Sequence, residues 1–212
     1  MPVDIMLDLE TWGTEPGCDI RSIGACVFNV ETGFVHDGSL GTIRPFYVAC
    51  DNPFRSDWTP QTLEYPLTRD PRTVQWWSEQ SDEAQAAFAD PADLKVGLDR
   101  FGAWLDAVLP NAHDDPSRGL RLWSHGAHFD GPILAAAYRA VGLPVPWHYR
   151  SPRDTRTIFD AAGIEDHSAW LNQHPGPLGI PHHALDDAIC QARAVCDAMS
   201  VIRDWREGCG DA

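Results

Sequence analysis

The chain has almost no lysine. Lys95 stands alone among 212 residues, so nearly all positive charge is carried by arginine. Positive charge of either kind is scarce: 16 Lys and Arg face 31 Asp and Glu, for a formal net charge of −15. That balance argues against gripping long nucleic acid through a broad basic face. It is compatible with holding a short segment through metal ions and a local basic patch. Arginine suits bidentate phosphate contacts, and the bias equally fits a GC-rich genome. No apolar stretch approaches the length of a membrane span. No basic residue precedes the first apolar run, which carries Asp4, so the N-terminus does not read as a secretory signal. Six cysteines (Cys18, Cys26, Cys50, Cys190, Cys196 and Cys209) include no Cys-x-x-Cys pair and no regular spacing. They point to free thiols in a reducing cytoplasm, rather than to zinc or a disulfide framework. Internal repeats and low-complexity segments are lacking too. What is present, 43% hydrophobic residues and nine Trp, describes a well-packed globular chain. Its length suits a single domain over 1–212.

Periodicity outlines an α/β protein. Residues 3–11 and 20–30 read as strands, 31–33 as a turn, and 34–48 as a third strand or pair, which together make a hairpin meander. A Pro-, Asp- and aromatic-rich excursion follows over 49–70. Residues 71–88 are mostly helical, so that the excursion as a whole, over 49–90, separates the meander from the first long helix over 93–109. A loop over 110–118, a short strand over 120–124, and helices over 130–141, 155–162 and 184–205 complete the pattern. Residues 142–153 read as a connector. Strands first, then helices mixed with strands, imply a mixed sheet flanked by helices.

The end of the first strand is the most informative point. Residues i and i+2 of a strand share a face, so Asp8 and Glu10 project two carboxylates the same way from a buried element. Two carboxylates about 4 Å apart repel by roughly 4 kcal/mol at an effective dielectric of 20. Such a pair implies a cation nearby. Asp130 lies at a strand-to-helix junction, and Asp187 lies in the first turns of the last helix. His182 precedes Asp187 by five residues, which on one helix would point about 140° away. It can share a site with Asp187 only from the loop before that helix. Taken singly, each residue has a plain structural reading: a solvated strand edge, helix N-terminal acids, a loop histidine.

Together, Asp8-x-Glu10-Thr11, Phe129-Asp130 and His182-x-Ala184-x-x-Asp187 resemble, in order and separation, the three motifs of the DEDDh 3′-5′ exonuclease superfamily. The likeness spans essentially the whole domain. It is nearest the phage exonuclease and bacterial 3′-5′ exoribonuclease group, with Thr73–Gln80 and Arg153-Asp154-x-Arg156 adding to it. One departure is Ser124-His125-Gly126, where many members carry Asn. The resemblance implies a ribonuclease H-like fold and metal-dependent 3′-to-5′ removal of nucleotides, as monophosphates, from single-stranded or overhanging RNA, and possibly DNA. Four carboxylates without a thiolate are hard oxygen ligands suited to Mg²⁺ or Mn²⁺. Two such ions about 3.5–4 Å apart can stabilise the attacking and leaving oxygens of a phosphoryl displacement. By the same resemblance Asp8 would bridge both ions, Glu10 and Asp187 would complete one, and Asp130 would support the other through water. His182 would be the general base. In the related DEDDy class a Tyr stands four residues before the last Asp, where this chain has His183, so His183 reads as structural or near substrate.

For substrate, Thr11 and Trp12 follow the acid pair and Phe129 adjoins Asp130. Either aromatic could stack on a terminal base or belong to the core. His125 and His128 could ligate metal or line the cleft. Arg150, Arg153 and Arg156 could hold phosphates or pair with the chain's own acids. Arg153 and Asp154 could act across a subunit boundary, because relatives are often homodimers. The competing readings are a DNA exonuclease of proofreading or phage type, a non-catalytic nucleic-acid-binding domain, and, more remotely, a zinc hydrolase.

Overall fold

Alternation along one strand decides the layers. Strand β1 (Val3–Thr11) sends Ile5, Leu7 and Leu9 into one apolar cluster and Met6 into another. The Met6 face also carries Asp4, Asp8 and Glu10. The computed structural model describes residues 2–39, 41, 43–54, 63–109 and 119–208. Around β1 the sheet is mixed. Strand β2 (Ile20–Asn29) pairs with β1 antiparallel, placing Gly24 opposite Asp8 and Ser22 opposite Glu10. The short β3 (Phe34–Val35) and β4 (Phe46–Asp51) both pair antiparallel with β2. Strand β5 (Ala92–Asp93) runs parallel to β4, β6 (Leu120–Ser124) parallel to β1, and β7 (Pro152–Asp154) parallel to β6. The order is β5-β4-β2-β1-β6-β7, with β3 beside β2.

Helix α1 (Pro71–Ser78) and the short α2 (Asp82–Ala86) follow the meander. Helices α3 (Leu94–Val108) and α4 (Asp130–Ala140) cover the Ile5–Leu7–Leu9 face, burying Leu98, Phe101, Leu105, Ile133 and Leu134. Helices α5 (Thr155–Ala161), α6 (His167–Leu171) and the long α7 (Ala184–Gly208) lie on the other face, with Phe159, Ala188, Ile189, Ala192 and Val195 buried against Met6 and Phe28. This is the ribonuclease H-like mixed sheet that the motifs imply.

Of the two alternatives over 34–48, the structure has the pair, β3 and β4, because the Asp37 carboxylate turns the chain by accepting the Ser39 N–H (3.0 Å) and Pro45 offers no donor. It departs from the sequence-based outline in three places. The helical stretch over 71–88 divides, because the Ser81 hydroxyl accepts the Ala84 N–H (3.2 Å) and starts α2 afresh. The connector over 142–153 ends in β7. The five-residue α6 is too short to leave a periodic signal. The loop over 110–118 and positions 55–62 of the excursion lie outside the described residues.

Candidate active site

The acid pair ends β1 on the α7 side of the sheet. Glu10 is buried, and Asp8 is partly buried beneath α7. The start of α7 presses directly onto β2 at Gly24, where an added Cβ would lie 2.1 Å from the Ala184 carbonyl carbon. Glycine is required there because the helix N-terminus occupies the space a side chain would need. Since Gly24 is paired with Asp8, this contact sets the first turn of α7 beside the acids. His183 caps that turn: its carbonyl accepts the Asp187 N–H (3.0 Å) and its Nδ1 accepts the Asp186 N–H (3.3 Å). The His183 ring stacks on Tyr47, with centroids 4.4 Å apart. One turn further along α7, on the face that carries Asp187, Gln191 donates from Nε2 to the Asp8 carboxylate (2.7 Å).

Asp130 arrives from the opposite side. The turn between β6 and α4 is held by Asp154, whose carboxylate accepts the Ala127 N–H (2.9 Å) and the Arg156 N–H (3.0 Å). The Asp130 carboxylate then accepts the Leu9 N–H at 3.1 Å, in the middle of the Asp8–Glu10 motif.

These carboxylates crowd one another. Burial pushes Asp8 well above the ordinary carboxylate range, and the charges of Asp130, Asp187 and Glu10 push it further, against the Gln191 hydrogen bond. Burial, then Asp187 and Asp130, raise Glu10 to about 8, with Arg21 opposing. Burial raises Asp130 to about 7, against the Leu9 N–H and the Arg156 charge. Burial and the neighbouring Asp186 raise Asp187 to about 7, against a backbone hydrogen bond from His182. Such a site favours occupation by positive charge.

His182 sits in the turn just before α7, at φ 59°, a left-handed conformation that costs a non-glycine residue about 1–2 kcal/mol. This places it off the helix, as sharing a site with Asp187 requires. Ligand atoms of Glu10, His182 and Asp187 all lie within 4.8 Å of one another. Burial lowers the His182 pKa, which favours the neutral ring. Trp76 meets the imidazole edge-on, with ring centroids 4.8 Å apart. Carboxylate oxygens with one imidazole and no thiolate fit a hard divalent cation.

Beside Glu10 opens a cavity of about 460 Å³ bounded by Thr11, Thr14, Arg72, Thr73, Trp76, Trp77 and Phe129. That volume lies within the range of small-ligand pockets, about 300–1,000 Å³. Trp77 is buried and donates from Nε1 to the Thr11 carbonyl (2.9 Å), pinning α1 to the end of β1, whereas Trp76 is 41% exposed.

A model of the Rv2179c-like 3′-5′ exoribonuclease domain matches residues 3–199. The chain belongs to that family. No curated protein sequence is significantly similar to it. Its fold is similar to that of cell-death related nuclease 4 (CRN-4), with TM-score 0.60 and 15% identity over 94% of this chain and 64% of that one. It thus spans less than two thirds of the CRN-4 chain. It is also similar to the nuclease domain of 3′hExo, a DEDDh family member bound to rAMP, with TM-score 0.54 and 14% identity over 98% of this chain and 93% of that one. At these identities the likeness concerns the fold.

In this Rv2179c-like domain the residues singled out from sequence fall into three groups. Asp8, Glu10, Asp130, Asp187 and His182 converge, with Thr11 and Phe129 beside them on the cavity. On the Asp130 side, Arg156 Nε approaches His125 Nε2 (3.4 Å), and His125 Nδ1 meets the Thr155 hydroxyl (2.8 Å). Burial and the Arg156 charge lower His125 to about 4, so it is a neutral ring. Trp12, Arg150 and Arg153 do not line the cavity. The guanidinium groups of Arg21 (4.3 Å) and Arg69 (5.0 Å) both lie over the Trp12 ring, where they compete with a base for it. Arg153 donates to the carbonyls of Arg150 and Pro152, both at 2.8 Å, and Arg150 to the Tyr149 hydroxyl at 3.0 Å. His128 is exposed. Asp154 is engaged within its own chain. Sequence reasoning missed Arg72, Trp76 and Gln191; the i+4 step from Asp187 to Gln191 was the one available signal.

Proposed function

We propose that the protein removes nucleotides one at a time from the 3′ end of single-stranded or overhanging RNA, releasing nucleoside monophosphates, with two Mg²⁺ or Mn²⁺ ions and His182 as general base. The observation that carries this reading is that Asp8, Glu10, Asp130 and Asp187, from three separate elements, lie close enough to raise one another's pKa, with His182 within 4.8 Å of Glu10 and Asp187. A plain nucleic-acid-binding domain has no use for buried carboxylates that repel one another. Membership of an exoribonuclease family supports the substrate class.

Asp8, Glu10, Asp130 and Asp187 would hold the cations. Bound there, the cations would offset the phosphate charge and lower the pKa of the attacking water. His182 then accepts that water's proton, and its lowered pKa leaves the ring free to do so near neutral pH. The cavity between Trp76 and Phe129 receives the terminal nucleoside, with Trp76 presenting an open aromatic face. The rAMP held by 3′hExo is a ligand of the size this cavity suits. Arg156 and His125 flank the site on the side where the preceding phosphate would lie. A cytoplasmic location is part of the same proposal, supported by Cys18, Cys26, Cys50, Cys190 and Cys196 as free thiols. So is assembly as a homodimer, which rests on the family resemblance.

End-labelled single-stranded RNA and DNA, incubated with Mg²⁺ or Mn²⁺, test the proposal. Stepwise shortening from the 3′ end is expected, faster on RNA. If neither strand is shortened, the enzyme reading fails; if only DNA is, the substrate assignment fails.

A further inference from the structure

The segment between α6 and α7 carries His182 without secondary structure of its own, and α7 fastens it at successive turns. Asp197 pairs with His174 Nε2 (3.0 Å), Arg193 donates to the Pro175 carbonyl, and Asp186 accepts the backbone N–H groups of Leu178 and Ile180, each at 3.1 Å. Asp197, Arg193 and Asp186 are spaced four and seven residues apart, which lines them along one side of the helix. Asp186 is the last fastening before His182. It is 2% exposed, and Gly176 lies so close that an added Cβ would stand 2.6 Å from the Asp186 Cβ and Cγ. The Leu178 side chain is 59% exposed, so its backbone N–H, not its side chain, anchors the strap. Beyond Ile180 only Pro181 separates the attachment from His182. On the other side, His183 is locked by its cap on α7 and its stack on Tyr47. His182 is thus held in its left-handed conformation between these two points, with the Asp187 carboxylate accepting from its backbone, and losing the first of them frees the strap side of the turn.

We propose that Asp186 is a positioning residue for His182. Its carboxylate fixes the 176–180 strap so that the imidazole stays within reach of Glu10 and Asp187, while Asp186 itself touches no substrate. This rests on the reading of His182 as the base. A misplacement of about 1 Å at a reacting group can cost roughly 100-fold in rate.

The test is a double-mutant cycle on the full chain with 3′-labelled single-stranded RNA. Asp186→Asn weakens the acceptor. Gly176→Ala forces a methyl against the Asp186 side chain and so pushes strap and carboxylate apart, while every carboxylate keeps its charge. Each is expected to lower kcat roughly 10- to 100-fold, with KM and Mn²⁺ affinity little changed. In a His182→Ala background each should add almost no further loss, because groups acting through one residue are not additive. Equal losses in both backgrounds, loss of Mn²⁺ affinity in proportion to kcat, or unchanged kcat in both single variants would overturn the inference and leave the base assignment standing. Full turnover by His182→Ala alone would instead overturn the base assignment, and the inference with it.

Discussion

Asp4 and Asp8 share a strand and a face, four residues apart, yet meet opposite surroundings. Asp4 is buried and fully answered within the chain: Arg121 grips it through two nitrogens, and Trp123 Nε1 donates to it at 2.7 Å. Among the described residues Asp8 faces three more carboxylates and receives one neutral donor, Gln191, whose own Oε1 is buried without a partner there. The first is an acid whose cation the chain supplies through β6. The second is an acid whose cation the chain leaves to be bound. Burial alone therefore does not mark a functional carboxylate. What marks it is burial among like charges, which costs folding free energy and persists because something else is to occupy the site.

The contrast is broken most sharply by removing each charge in turn. Asp8→Asn should cut turnover roughly a thousandfold or more, the kinetic equivalent of about 4 kcal/mol. Because it relieves repulsion, the metal-free variant should melt no lower than the parent in calorimetry. Asp4→Asn should do the reverse. It exchanges charge-assisted hydrogen bonds to Arg121 and Trp123 for weaker ones, about 2 kcal/mol, and the melting temperature should fall roughly 4–8 °C. Turnover per folded molecule should stay near that of the parent. If Asp4→Asn were inactive while folded, the two ends of the strand would not be separable in the way their contacts imply.

Much of this contrast is legible in the sequence, but only one half of it. The alternation through Ile5, Leu7 and Leu9 reveals the strand and puts Asp8 and Glu10 on one face, and the long apolar stripe of α7 places Asp187 near its start. The displacement of His182 from the helix follows from angle alone. Hidden were the contacts that depend on distant partners. Trp76 and Trp77 look equivalent in the chain, yet one is buried on the Thr11 carbonyl and the other opens on the cavity. Trp12 looks like a stacking platform until the fold brings Arg21 and Arg69 over its ring. Asp186 looks like a solvated first-turn acid, and only the fold brings Leu178 and Ile180 against it. Alternation and helical period report which face a residue takes, not what comes to meet it there.

The smallest effect, and the most diagnostic, is the dependence of stability on pH. Glu10 is raised to about 8, and Asp130 and Asp187 to about 7. Between the ordinary carboxylate range near 4 and these raised values, the folded chain binds more protons than the unfolded one. Stability is then greatest toward the acid side of that window and is lost as pH rises through about 7–8. Metal-free protein should melt progressively lower from pH 5 to pH 8. Added Mn²⁺ should flatten or reverse the trend, since cation binding needs the same carboxylates deprotonated. Asp8→Asn should weaken the metal-free slope by removing one of the repelling charges, and Asp4→Asn should leave it as in the parent. Melting curves at four pH values, with and without Mn²⁺, decide the matter. A slope that Asp4→Asn abolishes and Asp8→Asn spares would move the unanswered charge to the wrong end of β1.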